Sequence, residues 1–299
     1  MNRETKQWLA HDINTSAETL AALANDKWGS VRLAVAMNFN TPVEVLEKLS
    51  KDKVFEIRSS VASNPNTLPV TLAGLAKNKN SIIDFWIAAH KNTSAETLAI
   101  LAARNDSGVC CAVAKHSNTS VETLAALALN EYSQTRMWVA RNENTPAEIL
   151  EKLSKDSLFE IRFGVAQNKN TSAETLAALA KDEFECVRLS VAIHKNTSAE
   201  TLAALAKEDN CLIGCAVARN MNTSAETLAA LAKEDDQQIR WWVAQNKNTP
   251  FYVLKTLADD EDLKVREAAK SKIDLLSPEM SIEPVSRKKN PGGFVKLKI

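Results

Sequence analysis

The chain has 299 residues, with 37 Lys plus Arg balancing 37 Asp plus Glu, and 45% of it is hydrophobic. Zero net charge supplies no global field to draw in nucleic acid or an anionic membrane, and no apolar run reaches the roughly 18 residues a spanning helix needs. Five cysteines, an odd number without framework spacing, argue against a disulfide-stapled fold and for a reducing cytoplasm.

Residues 1–8 contain no apolar h-region, so no signal peptide is expected. Residues 1–13 match the second half of the repeating unit that follows, with Trp8, Leu9 and Ala10 on its positions 21, 22 and 23. A lone half-repeat of this kind is expected to cap a stack. His11, one place before the position that other histidines take, is expected in solvent.

From residue 14 an Asn-Thr pair recurs every 26 residues without a slip, at Asn14, Asn40, Asn66, Asn92, Asn118, Asn144, Asn170, Asn196, Asn222 and Asn248. A fixed period in the 20–50 range marks a solenoid, in which one supersecondary unit stacks on its copies. With Asn as position 1, position 2 is always Thr and position 5 is Glu in all but Val70 and Tyr252. Thr-x-x-Glu reads as a capping box, and Pro42, Pro146 and Pro250 at position 3 suit a first helical residue. Leu at positions 7 and 10 in every unit (Leu20 and Leu23 in the first) then gives helix A one apolar stripe. The six Asn-Thr-Ser sequons, from Asn14 onward, are by-products of this helix start.

A short break near position 13, often acidic (Asp26, Asp52, Asp156, Asp182), leads to helix B. Its apolar positions 18, 22 and 23 read Val31, Val35 and Ala36 in the first unit. It ends at Asn or His in position 25, types that tolerate a left-handed cap. Linkers of two or three residues make successive helices antiparallel neighbours. The few buried aliphatics of one unit cannot offset the ordering of 26 residues, so stability must come from stacking. The expected fold is all-α, a right-handed α-solenoid (superhelix) of ten 26-residue two-helix repeats spanning 14–273. Residues 274–299, rich in Pro and Gly and carrying Arg287, Lys288, Lys289, Lys296 and Lys298, are expected to be a disordered, mildly basic tail.

The unit Asn-Thr-Ser/Pro-Ala-Glu-x-Leu-x-x-Leu-Ala-x-Asp…Val-Arg-x-x-Val-Ala-x-Asn resembles the leucine-rich repeat variant family, and through Asp…Val-Arg a shortened HEAT repeat. The resemblance covers 1–273 and implies a curved scaffold with a concave groove. In that family the second helix can be of 3₁₀ type, whereas helix B here is long enough for α, and both remain open. The family's N-terminal iron–sulfur module needs clustered cysteines, and none precedes Cys110, so it is not carried over.

Most residues that could carry chemistry keep step with the repeat. His90, His116 and His194 replace Asn at position 25, a structural substitution. Arg at position 19 in seven units (Arg32 and Arg162 among them) keeps phase with the acidic residue six positions earlier, as an inter-repeat ion-pair ladder would. The invariant Asn of position 1 reads as a ladder to neighbouring backbone. Cys211 and Cys215 share a helix face without His or a second Cys pair at zinc spacing. No catalytic motif, cofactor loop or metal set emerges.

What varies between copies is the remaining clue. A helical wheel of B places position 20 opposite the core, where a scaffold with nothing to bind should be polar. Instead that row includes Leu33, Phe85, Met137, Phe163, Leu189 and Trp241, and position 24 adds Lys115, Arg141 and Arg219. An apolar row rimmed by cations resembles a partner-binding groove, although a rotated helix B would pack it between repeats. The Trp residues of position 21 (Trp8, Trp86, Trp138, Trp242) are expected to stack beside the Ala at position 23 of an adjacent unit. These features predict a non-enzymatic scaffold, cytoplasmic and monomeric, binding a protein or peptide along the concave face of its B helices. The alternatives are a nucleic-acid-binding solenoid, which zero net charge disfavours, and an accessory protein presenting a substrate or cofactor to an enzyme.

Overall fold

The computed structural model describes residues 1–280, and 281–299 of the expected tail lie outside the described residues. Described residues form twenty-one α-helices and no strand. The chain divides into two compact units, Met1–Thr197 and Ser198–Ile299. In each, an A helix of seven or eight residues alternates with a B helix of nine, as in Ala17–Leu23 followed by Gly29–Met37. Helix B is therefore α, which settles the question left open by the resemblance. The final helix, Leu263–Met280, runs past the expected repeat boundary at 273.

Leu at positions 7 and 10 of helix A and the aliphatics at 18 and 22 of helix B are buried along both units, for example Leu98, Leu101, Val109 and Val113. Within each unit, B helices of consecutive repeats approach one another more closely than A helices do. The side chain at position 19, on the flank of B, consequently lies against the next repeat.

Helix A starts one residue later than the capping-box reading. The N-cap is the Ser of position 3, not the Thr of position 2: the Ser16 hydroxyl accepts from the Thr19 backbone N–H at 3.3 Å. Pro42, Pro146 and Pro250 are likewise N-caps with extended backbone rather than first helical residues. Glu18 sits in the first turn, where its backbone N–H and the Ser16 hydroxyl hold its carboxyl below the ordinary value. The Thr of position 2 is freed for another task. Buried Thr41 donates its hydroxyl to the Val35 carbonyl at 2.6 Å, and Thr119 does the same to Val113. These carbonyls belong to the last turn of helix B, and each also accepts from the N–H of the C-cap residue, Asn38 to Val35 at 3.1 Å and His116 to Val113 at 3.0 Å.

The rest of that turn is served by the next repeat. Asn64 Nδ2 donates to the carbonyls of Ala36 (2.8 Å) and Asn38 (3.0 Å), while its Oδ1 accepts from the Asn66 N–H. Position 25 has extended backbone (φ −73° at Asn64), so the left-handed cap expected there is absent. Asn is required for its side-chain amide, which carries a donor and an acceptor. The Asn of position 1 forms a parallel ladder as expected, with Asn170 donating to the carbonyls of Glu143 (2.7 Å) and Thr145 (3.0 Å).

The other end of helix B carries the ion-pair ladder. Arg32 Nε donates to Asp52 of the following repeat at 2.6 Å, and its NH1 reaches the Asp26 carbonyl of its own repeat at 2.8 Å. Thus the acid six positions earlier lends only backbone, and the carboxylate comes from twenty positions later. Arg136–Asp156, Arg162–Asp182 and Arg240–Asp260 repeat the pattern, and Lys6–Asp26 begins it in the capping half-repeat. Burial opposes ionisation of Asp52, but hydrogen bonds from Arg32 and the Val54 N–H outweigh it and keep the carboxyl below its usual range.

Candidate partner-binding face

Structural positions account for most reactive side chains. His90 Nε2 lies 2.8 Å from the Asn64 carbonyl, and its Nδ1 accepts from the Asn92 N–H at 3.1 Å. A backbone N–H can only donate, so the ring is neutral with its proton on Nε2. Burial is the main cause that lowers the affinity of His90 and His194 for a second proton, Lys91 and Lys195 adding to it. His11 is exposed at the end of the first helix. All five cysteines are free thiols. Burial pushes the Cys110 thiol up and that of Cys215 up to about 11, far from the range of a reactive thiolate. Among the described residues no group of three His, Cys, Asp or Glu side chains could hold a metal ion, and no helix is long and apolar enough to cross a membrane.

The outer stripe of helix B is broader than the wheel anticipated. Of the position-20 row, Phe85 is 42% exposed, whereas Leu33, Met137, Phe163, Leu189 and Trp241 are half-buried against neighbouring B helices. Lys115, Arg141 and Arg219 are exposed at position 24. The tryptophans of position 21 share this surface rather than stacking inside. Trp86 is 43% exposed and meets Phe85 edge-on, with ring centroids 5.7 Å apart.

Cations of position 24 cover the tryptophan of the next repeat. Lys115 Nζ lies 5.0 Å from the centre of the Trp138 ring, and Arg141, from the same repeat as Trp138, lies 5.8 Å from it. In the second unit the Arg219 guanidinium lies 4.9 Å from Trp242, whose neighbour Trp241 stands edge-on at 4.6 Å. Each such contact is worth about 0.5–1 kcal/mol at an exposed site and fixes an otherwise mobile cation. Gly164 lets two B helices approach closely, since a Cβ there would come within 3.2 Å of the Ala140 Cβ and 3.4 Å of the Arg141 Cγ.

Between these aromatics the fourth repeat is hollowed. Its outward positions 17, 20 and 21 are Gly108, Cys111 and Ala112, where the third repeat has Ile82, Phe85 and Trp86 and the fifth has Gln134, Met137 and Trp138. A cleft of about 630 Å³ opens there, bounded by Phe85 and Trp138. The sequence reading missed Trp86, Trp138, Trp242 and this hollow. A cation recurring 23 residues before a tryptophan, as in Lys115–Trp138 and Arg219–Trp242, was the available signal.

No protein-family model and no curated protein matches the chain. Among solved structures it is similar to a leucine-rich repeat variant with a novel repetitive structural motif, at 20% identity and TM-score 0.49, over 83% of this chain and 88% of that one. It is also similar to a HEAT-like repeats protein from Thermococcus onnurineus, at 11% identity and TM-score 0.25 over 94% and 99% of the two chains. Importin beta gives 10% identity and TM-score 0.31, over 92% of this chain and 40% of that one. The helical-repeat architecture itself rests on the chain's own recurring helix pairs.

Proposed function

We propose that the protein is a non-enzymatic scaffold that binds a protein or peptide along the outer stripe of its B helices. The observation that carries this reading is the stripe itself: apolar and aromatic side chains at half exposure, with cations held over tryptophan faces at its rim. Residues from Leu33 to Leu189 in the first unit, and Trp241 with Arg219 in the second, contribute to it. Partner-binding surfaces combine aromatic anchors with cations in this way. The closer spacing of B helices within each unit is what a concave inner row requires. Binding rather than catalysis also fits the raised thiols and the buried, doubly engaged imidazole of His90. Five unpaired cysteines fit a reducing compartment such as the cytoplasm, and a monomer suffices for the stripe.

The test selects a phage-displayed random peptide library on the immobilised protein, then titrates the selected peptides against Met37→Glu, Phe85→Glu and Ile193→Glu. All three residues are exposed on B helices of the first unit. At least one substitution should weaken each peptide about tenfold or more while helical circular dichroism is unchanged. Peptides indifferent to all three would place binding elsewhere and overturn the reading.

A further inference from the structure

The hollow in the fourth repeat has a shape and a charge of its own. Its floor is Gly108, Cys111 and Ala112, and its walls are the rings of Phe85 and Trp138. Gly108 is open: a Cβ there would meet only ordinary contacts, 3.5 Å to Asp106 and 3.9 Å to Phe85. Helix B of this repeat starts normally, with the Asp106 carboxylate capping the Val109 N–H at 3.1 Å. The hollow therefore arises from three small side chains on an undistorted helix.

Three cations surround it. Lys91 and Lys115 line a cleft whose lining holds no carboxylate, and Arg141 stands next to it across Trp138, where Glu143, paired with Lys169, lines the adjoining hollow. No ion pair joins any of these three cations to a carboxylate of the described residues, in contrast to the paired Arg32, Arg136 and Arg162. The cationic stretch is short. Exposed Glu56 and Glu160 occupy position 17 in the second and sixth repeats, on the same stripe. A continuous phosphate backbone would meet those carboxylates.

We propose that this hollow is an anchor pocket for one aromatic side chain of an extended acidic peptide. The aromatic ring enters between Phe85 and Trp138 over the small floor. Carboxylates flanking it meet Lys91, Lys115 and Arg141, which already stand around the pocket. A buried aromatic anchor with charges at its rim is the arrangement that concentrates binding in few residues. The proposal rests on the stripe-binding reading and specifies its occupant. In the second unit Cys215 and Ala216 again make a small pair before Trp242, but Leu212, 56% exposed, stands where Gly108 leaves the floor open.

The probe is fluorescein-labelled Asp-Asp-Phe-Asp-Asp-Gly, titrated by anisotropy against the full chain at low salt. Two control peptides replace either Phe or all Asp by Ser, and a labelled oligothymidylate serves as the nucleic-acid probe. The variants are Gly108→Leu, copying Leu212, and Cys111→Phe, copying Phe85 and Phe163. Both introduce side chains the scaffold already carries at those positions, and circular dichroism checks their folding. Each control peptide and each variant should lose about tenfold or more in affinity, and added salt should weaken the parent peptide. Equal binding by both variants, no binding by the wild type, or preference for oligothymidylate would overturn the pocket. Should library-selected peptides respond to Met37→Glu or Ile193→Glu but ignore Gly108→Leu and Cys111→Phe, the stripe stands and the pocket alone fails.

Discussion

The Asp84 carboxylate pairs with the Arg104 guanidinium with the polarity of the ladder reversed: the acid lies at position 19 and the base at position 13 of the next repeat. Arg104 also donates to the Ala76 carbonyl, yet Asp84 Oδ1 stays buried without a hydrogen-bond partner. The irregularity extends to both sides. Before it, Arg58 Nε is buried and unpaired, because Asn78 occupies the place of the acid. After it, the rung is Cys110 facing Asn130, with Sγ and Nδ2 3.9 Å apart. In the first unit these deviant rungs join repeats two to five, and the last three of these form the hollow; Gly214 at position 19 breaks the ladder again in the second unit.

Removing Arg104 should cost more than removing the pair. Arg104→Ala leaves the Asp84 carboxyl, 3% exposed, without its partner, for a loss of about 3 kcal/mol. Adding Asp84→Ala should recover part of that loss. Urea unfolding followed by circular dichroism measures both, and a double variant weaker than the single would refute the account.

Asn78→Asp should complete the missing rung by giving Arg58 a carboxylate at position 13. A gain of about 1 kcal/mol is expected at neutral pH, modest because residue 78 is exposed. Arg58→Met in the same background should abolish the gain.

The position-25 ladder predicts a graded pair of substitutions. Asn142 donates to the carbonyls of Ala114 (2.7 Å) and His116 (3.1 Å) and accepts from the Asn144 N–H. Asn142→Ala leaves two buried carbonyls and the part-buried Asn144 N–H without these partners and should cost about 2–4 kcal/mol. Asn142→His keeps one donor and one acceptor, as His90 does, and should cost less. Thermal melts of the two variants give the order.

Acid should loosen the stack through its histidines. Burial holds the His90 and His194 pKa values below the ordinary 6.5. Between those lowered values and 6.5 the unfolded chain binds more protons than the folded one, so stability is complete above this window and falls as pH drops through it. Protonated His90 would also point an N–H at the Asn92 N–H. His90→Asn, restoring the commoner residue, should flatten the dependence between pH 7 and pH 5, and an unchanged slope would refute it. The ladder aspartates act lower, losing their contribution below the ordinary 3.8 of Asp52 as they protonate.

The repeat made the architecture legible because Leu20, Leu23, Val31, Val35 and their copies keep one spacing through the chain. The Asn and Arg ladders were legible for the same reason, since a residue invariant at an exposed-looking position must be paired with something periodic. Capping was misassigned because Thr15 and Ser16 are both competent caps, and only the Thr hydroxyl's reach to the Leu9 carbonyl decides between them. The outer stripe was partly misplaced because an ideal wheel ignores how B helices lean on one another. Met137, Phe163 and Trp138 are all half-buried, while Trp86 is exposed. The hollow at Gly108 could not be read from any single unit, because it is a difference between three.

At the Asn edge within each unit, a repeat grips its predecessor by backbone carbonyls, a group that any residue supplies. The joint is therefore indifferent to the sequence it holds. Copies can be gained, lost or exchanged there without redesigning a contact, and positions 17, 20, 21 and 24 of helix B can be rewritten one copy at a time. A surface assembled from such interchangeable plates can acquire a single odd plate, such as the one bearing Gly108, Cys111 and Ala112, with little cost to the stack that carries it.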